Sequence, residues 1–287
     1  MPSTMPAPGV WEPIMLTSPS HDVPVRVYRP HKGYGWLVWA HGGSWRSGSS
    51  LAWQDACADL ARIARCTVVN VDYRLIPHRH PAALRDVVTA LEWAHEQAAR
   101  EGDVRRVAVG GDSAGGTLAA CAALLWRDRR LSLTAQVLAY PPLDPSCEAA
   151  SYRPEGRFPN RRSMIAAWRD YRGEGKPVRQ GQTRLHSTPF EEEDLTGVPP
   201  AILAVGDLDP VSDEVRRYAG LLRAAKTQVD LRILPRTPHG VFCAGTEGRA
   251  DYGPQGRELR HYLGDTLRHR FREPRLTSAE ISPQEHS

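Results

Sequence analysis

Ser113 sits in a crowd of glycines. Residues 107–120 read VAVGGDSAGGTLAA, so Gly111-Asp-Ser-Ala-Gly115 fits the pattern G-x-S-x-G. Glycine is costly inside helices and strands, and it suits a backbone that turns sharply while leaving one side chain exposed. Residues 104–109 read as a strand and residues 113–125 as a helix. The pattern therefore stands where a nucleophile elbow requires it, between strand and helix. The residues two before and two after the serine must be small there, and both are glycine. The helix N-terminus would face developing negative charge. The chemistry implied is attack of a serine oxygen on a carbonyl.

A serine hydroxyl needs a base, and the base needs an orienting acid. In this setting the chain order is Ser, then Asp or Glu, then His. Five of the eleven histidines follow Ser113. His186 falls in an interrupted region, His261 and His269 in the last helix, and His286 in the tail. His239 lies in LPRTPHGVF, just after an expected strand, and is the expected base. For the acid, AILAVGDLDPVSDE offers Asp207, Asp209, Asp213 and Glu214. Asp213 and Glu214 stand where they would cap the next helix, and Asp207 suits a turn. Asp209 precedes a proline, which favours an extended backbone. It is the preferred acid, with Asp207 second.

His41-Gly-Gly-Ser-Trp45 follows a short apolar strand. Glycines let backbone N–H groups approach a substrate oxygen. The N–H groups of Gly43, Ser44 and Ala114 are the expected oxyanion donors. Trp45, Tyr140, Val241 and Phe242 are the expected substrate contacts. No metal ligands are called for.

The elements that must position these residues alternate. Strands are expected at 23–28, 36–40, 67–71, 104–109, 133–140, 201–205 and 229–234. Helices are expected from Trp53 to Ala64, from Pro81 through Leu91, and at 113–125, 214–222 and 256–270. Alternation of this kind argues for a parallel sheet covered on both faces. Residues 1–20 read as an irregular segment, 21–271 as one domain and 272–287 as a disordered tail. The stretch 145–196 interrupts the alternation and reads as an insertion over the sheet, with a helix around Met164–Trp168.

Composition narrows the partners. The chain has 287 residues, is 41% hydrophobic and carries a formal charge of +4. Lysine occurs only at positions 32, 176 and 226, and no basic run interleaved with aromatics appears. Nucleic acid is therefore not an expected partner. The five cysteines show no CxxC spacing. The first residues lack the pattern of a secretory signal, and no apolar stretch reaches membrane-spanning length. A cytoplasmic protein without a membrane anchor is expected, with oligomeric state open and a homodimer one option. Between Ser151 and Arg184 stand eight arginines and Lys176 against Glu155, Asp170 and Glu174, a local excess of +6. A solvated surface explains this; a sharper reading is a cap that draws in an anionic ester.

Four segments together resemble the hormone-sensitive-lipase-like family of α/β-hydrolases. They are His41-Gly-Gly-Ser-Trp45, VDYRLIPHRHPAALRD (71–86), Gly111-Asp-Ser-Ala-Gly-Gly116, and DPVSDE (209–214) followed by His239-Gly240. The resemblance covers about residues 22–270 and keeps the family's order. It implies an α/β-hydrolase fold, with a mostly parallel central sheet, helices on both faces and a small cap insertion. It also implies hydrolysis of small-molecule carboxylic esters with short to medium acyl chains, without a cofactor, and Asp209 as the triad acid. Ser44 stands where the family usually has a third glycine, and His78 where it often has glutamate. The stretch before the first strand is short for the family, which implies that part of the usual cap is missing. HGG-x-W also occurs in formamidase-like relatives, which keeps amides open. An acyltransferase, or a non-catalytic binding protein on the same scaffold, are the alternatives.

Overall fold

The structure is a computed structural model that describes residues 11–18, 21–30, 33–102, 106–175, 178–246 and 251–273. Its main sheet contains eight strands: β1 (Glu12–Leu16), β2 (Val23–Tyr28), β3 (Trp36–Ala40), β4 (Thr67–Val71), β5 (Val107–Asp112), β6 (Gln136–Ala139), β9 (Ala201–Gly206) and β10 (Val229–Leu234). A separate hairpin pairs β7 (Val178–Gln180) with β8 (Thr183–Leu185). The main sheet runs β1-β2-β4-β3-β5-β6-β9-β10. β2 is antiparallel to β1 and β4, and every pair from β4 to β10 is parallel.

Burial explains which strands lack alternation. Every residue of β3, β4, β5, β6 and β9 is buried, as a strand covered on both faces requires. β2, near one edge, largely alternates buried and half-buried positions. Six helices, α1 (Gln54–Ala64), α2 (Ala82–Arg100), α3 (Ala114–Asp128), α4 (Arg161–Arg172), α5 (Ser212–Ala224) and α6 (Gly253–Arg272), supply the cover. Trp36 and Trp39 of β3 point to opposite faces because they are three residues apart. Trp36 meets Trp93 of α2 edge-on at 5.6 Å, while Trp39 stacks at 4.5 Å on Phe242, beside α6. α1 and α6 touch closely; a Cβ on Gly264 would stand 2.7 Å from the Ile63 side chain.

Several boundaries differ from those expected. Residues 1–20, expected to be irregular, contain β1, which pairs with β2 from Glu12↔Val27 to Leu16↔Val23. Its residues are mostly exposed, so an edge ladder forms without the apolar alternation that marks a strand in sequence. The strand expected at 104–109 begins at Val107; residues 103–105 lie outside the described ones. β6 is shorter than the expected 133–140, because Tyr140 turns away with φ +39°. The expected tail falls mostly on residues 274–287, which also lie outside the described ones.

The 145–196 stretch holds α4 and the β7–β8 hairpin. Asn160 caps α4 by accepting from the Ser163 N–H. The buried face of α4 is Met164, Ala167, Trp168 and Tyr171, at i, i+3, i+4 and i+7. This face joins the main core: Tyr171 stacks on Trp45 with centroids 4.4 Å apart, and Trp168 meets the same ring at 4.7 Å. No helix among the described residues is long and apolar enough to cross a membrane.

Candidate active site

The turn between β5 and α3 is as tight as the glycine pattern implies. Ser113 has φ +50° and ψ −123°, a strained conformation for a residue with a side chain. A Cβ on Gly115 would stand 2.0 Å from the Ala40 carbonyl oxygen, and one on Gly111 would stand 2.4 Å from the Gly115 carbonyl carbon. Only glycine at both positions lets α3 start against the end of β3. The result is a hydroxyl held at the C-terminal edge of the sheet.

His239 reaches that hydroxyl from the loop after β10. Ser113 Oγ donates to His239 Nε2 at 2.8 Å. On the other side His239 Nδ1 lies 3.0 and 2.9 Å from the two oxygens of Asp209. Asp209 is fully buried and also accepts from the Val211 N–H at 3.0 Å. Its carboxylate is thus aimed by its own turn, as the Asp-Pro step allows. Asp207, the second choice for the acid, does something else. It accepts from the Thr237 N–H at 3.2 Å and so steadies the loop that carries His239.

Asp213 and Glu214, expected to cap α5, cap nothing. The N-cap position is Val211, with no side-chain cap. Asp213 instead accepts from the Ser151 N–H at 2.9 Å. Glu214 turns inward and accepts from the N–H groups of Leu143 at 2.5 Å and Asp144 at 3.0 Å. Burial pushes its carboxyl up to about 7. Two acidic side chains at the start of one helix therefore pin the segments on either side of the insertion's root. The physical reason is competition: backbone N–H groups of the 143–151 loop need acceptors, while the first turn of α5 is served from elsewhere, its Ser212 N–H donating to the Asp209 carbonyl at 3.1 Å and its Asp213 N–H to Ser151 Oγ at 3.4 Å.

Among the described residues, the N–H groups of Gly43, Ser44 and Ala114 donate to no protein acceptor. Their neighbours hold them in place. His41 Nδ1–H donates to the Gly42 carbonyl at 2.7 Å, and burial depresses the His41 pKa, keeping the ring neutral. The Gly43 carbonyl accepts from Arg46 and Ser47 N–H at 3.0 and 3.1 Å. With both carbonyls turned back into the loop, the following N–H groups, on Gly43 and Ser44, point the other way. Gly43 has φ +123°, and a Cβ there would stand 2.0 Å from the Ser47 carbonyl oxygen.

The four expected substrate contacts are all buried: Trp45, Tyr140 and Val241 to 1–2% exposure and Phe242 completely. Trp45 is engaged by Tyr171 and Trp168, and Phe242 by Trp39. Tyr140 lies edge-on to His239 at 4.8 Å, and its hydroxyl accepts from the Phe242 N–H at 2.8 Å. These residues build the walls behind the site and have too little free surface for a ligand. Apolar residues flanking catalytic loops look alike in sequence whether they face a ligand or the core. The residue that sequence reasoning missed is Phe158. It is 68% exposed, and its ring lies 6.0 Å from that of His239. It comes from an arginine- and proline-rich stretch without periodicity, where no sequence signal marks it.

One group among the described residues has metal-ligand chemistry: Asp128, His186 and Glu192. Arg127 already pairs with Asp128 at 2.7 Å and with Glu192 at 3.2 Å, so a guanidinium serves both carboxylates.

Comparison with known proteins agrees with this geometry. Residues 37–243 match the model of a family described as having the α/β hydrolase fold. The chain is 37% identical over 245 residues to the carboxylic ester hydrolase LipN of Mycobacterium tuberculosis, covering 80% of this chain and 63% of that one. It therefore spans less than two thirds of that relative. It is also 37% identical over 227 residues to the carboxylesterase NlhH of the same organism, covering 76% and 71% of the two chains. The crystal structure of the esterase LipW from Mycobacterium marinum superimposes with a TM-score of 0.80 at 33% identity, covering 92% of this chain and 82% of that one.

Proposed function

The chain belongs to the α/β-hydrolase family, and from that premise we propose that it is a serine hydrolase of small carboxylic esters. The observation that carries the reading is the unbroken hydrogen-bond chain from Asp209 through His239 to Ser113. In the reaction, Ser113 Oγ attacks the ester carbonyl carbon while His239 Nε2 takes its proton. The carbonyl oxygen becomes an oxyanion facing the N–H groups of Gly43, Ser44 and Ala114. His239 then protonates the departing alcohol, leaving an acyl group on Ser113. Water, deprotonated by His239, releases the acid and restores the serine. Asp209 holds the imidazole with Nδ1–H inward and stabilises its charged form. Phe158 offers an apolar edge beside His239 for the substrate to cover.

An anionic ester is the finer reading of the substrate. Several arginines of the insertion are already engaged: Arg161 with the Cys147 carbonyl, Arg172 and Arg184 with Glu191, and Arg169 with Asp170. Arg157, next in sequence to Phe158, makes no ion pair among the described residues, which supports a cation at the mouth of the site. The five cysteines are all buried and none is joined in a disulfide, in keeping with a reducing, cytoplasmic setting.

The test is a panel of nitrophenyl esters, anilides and formamides, with added acceptor alcohols to detect acyl transfer, on the native protein and Ser113→Ala. Ester cleavage lost in Ser113→Ala is expected; cleavage of formamides alone, or acylated alcohol as the main product, would overturn the ester reading. Matched neutral and anionic esters, from low to high salt, address the charge. A preference for the anionic ester that fades with salt and weakens in Arg157→Gln is expected. Equal rates throughout would remove it.

A further inference from the structure

The residue just before the nucleophile has no place in the reaction described above, yet it is among the most costly in the fold. Asp112 closes β5 and is 3% exposed. Both of the short hydrogen bonds to its Oδ1 come from neutral donors, the Gly42 N–H at 3.1 Å and the Trp53 indole N–H at 2.9 Å. Burial pushes its carboxyl up to about 7, so the fold carries an ionisable group in a place that disfavours its charge. A position that only had to fill space would be better served by an apolar side chain.

The Gly42 N–H belongs to the peptide unit that joins His41 to Gly42. The other edge of that same unit, the His41 carbonyl, accepts from the Tyr73 hydroxyl at 2.7 Å. One peptide plane is therefore gripped on both sides, by Asp112 from β5 and by Tyr73 from the segment after β4. Contact is close as well as directional. A Cβ on Gly42 would stand 2.6 Å from Asp112 Oδ2, so the carboxylate lies flush against this glycine. Immediately downstream come Gly43, Ser44 and Trp45, three consecutive residues with positive φ (+123°, +54° and +59°). A strained run of this kind stays in place only when its surroundings over-determine it.

We propose that Asp112 is a positioning residue that fixes the start of the 41–45 loop, and through it aims the Gly43 and Ser44 N–H groups at the oxyanion. The proposal rests on the serine-hydrolase reading. It adds that the two halves of the site share one joint. The side chain next to the nucleophile sets the register of the loop that stabilises the product of its attack. Without that acceptor the Gly42 peptide can rotate, and the donors beyond it lose their aim. Misplacement of catalytic groups by about 1 Å costs on the order of 100-fold in rate. Because the oxyanion forms only after attack, the loss falls on kcat and leaves KM nearly unchanged.

The experiment compares Asp112→Asn with Asp112→Ala and Asp112→Ser. Asparagine keeps an oxygen in reach of Gly42 and Trp53; alanine has no acceptor, and serine is too short. With a nitrophenyl ester, Asp112→Asn is expected to stay within about tenfold of the native kcat. The two shorter variants are expected to lose about 100-fold in kcat, with KM within about threefold. Affinity for a trifluoromethyl ketone, which forms the oxyanion on Ser113, is expected to fall in parallel with kcat/KM. Hydrogen exchange gives a readout independent of turnover: peptides covering residues 40–47 are expected to exchange faster in Asp112→Ala and Asp112→Ser than in Asp112→Asn. If Asp112→Ala does not fold, Asp112→Ser and Asp112→Asn still decide. Three results would overturn the proposal: kcat within threefold of native in the short variants, a loss confined to KM, or unchanged exchange over 40–47. A native protein that cleaves no ester would instead refute the functional reading, and the exchange data would still judge the role of Asp112 in the loop.

Discussion

Replacing Glu214 with glutamine should make the protein more stable, by an amount that depends on pH. Glu214 is 2% exposed and accepts from two backbone N–H groups through Oε2. Asp144, Cys147 and Tyr152 face it. In the unfolded chain its carboxyl titrates near 4.5, and in the folded protein near 7, raised chiefly by burial. Between those values the folded state holds a proton that the unfolded state has lost. Stability from this group is therefore present in full below about pH 4.5, falls as pH rises, and is lost above about pH 7. At about 1.4 kcal/mol per pH unit, the gap amounts to roughly 3 kcal/mol. A glutamine oxygen can accept both N–H groups without carrying a charge. Thermal or urea denaturation of the native protein and Glu214→Gln, from pH 4.5 to pH 8, isolates the effect because other titrating groups are shared. The two should match near pH 4.5 and diverge to roughly 3 kcal/mol by pH 8, about 5–10 °C in Tm. A difference that stays constant across this range, or a glutamine variant less stable at pH 8, would refute the reasoning.

The acid of the triad can be assigned by contrast: Asp209→Asn should lower kcat for a nitrophenyl ester by about 10⁴-fold, and Asp207→Asn far less, since Asp207 only holds the Thr237 N–H. In the 41–45 loop, Ser44→Gly should keep kcat within about tenfold because the backbone N–H is retained. Gly43→Val should abolish turnover, since its Cβ would stand 2.0 Å from the Ser47 carbonyl oxygen. Phe158→Ala should leave Tm unchanged, as the ring is 68% exposed, and raise KM for aryl esters roughly tenfold, the worth of an aromatic contact covered by substrate.

How much of this was legible in the sequence depends on what each residue answers to. Ser113, Gly111 and Gly115 were readable because backbone sterics leave one residue type at each glycine and one hydroxyl between them. His239 was singled out among five histidines by its place just after an expected strand, and Asp209 by the proline after it. The buried strands β3 and β9 announced themselves as unbroken apolar runs, and β4 by its β-branched residues. β1 did not, because a solvent-facing edge strand draws its stability from ladder hydrogen bonds that any residue can make. Asp213 and Glu214 misled for a related reason. A carboxylate at a helix start has a standard local use, and only the fold reveals that backbone N–H groups from residues 143, 144 and 151 compete for it. Trp45, Tyr140, Val241 and Phe242 were assigned to a ligand by proximity along the chain, and packing claimed them.

The packing of Trp45, at the end of the 41–45 loop, against α4 divides the insertion into two parts with different freedom to change. Tyr171 and Trp168 are keyed to a ring only one residue from Ser44. A cap transplanted from a relative would have to bring partners for that ring, or the loop beneath it would lose its ceiling. The stretch around Phe158 carries no such obligation, since its ring is largely exposed and its contact is with His239. Divergence of substrate preference along this lineage should therefore accumulate at 153–159, while α4 changes only in step with Trp45.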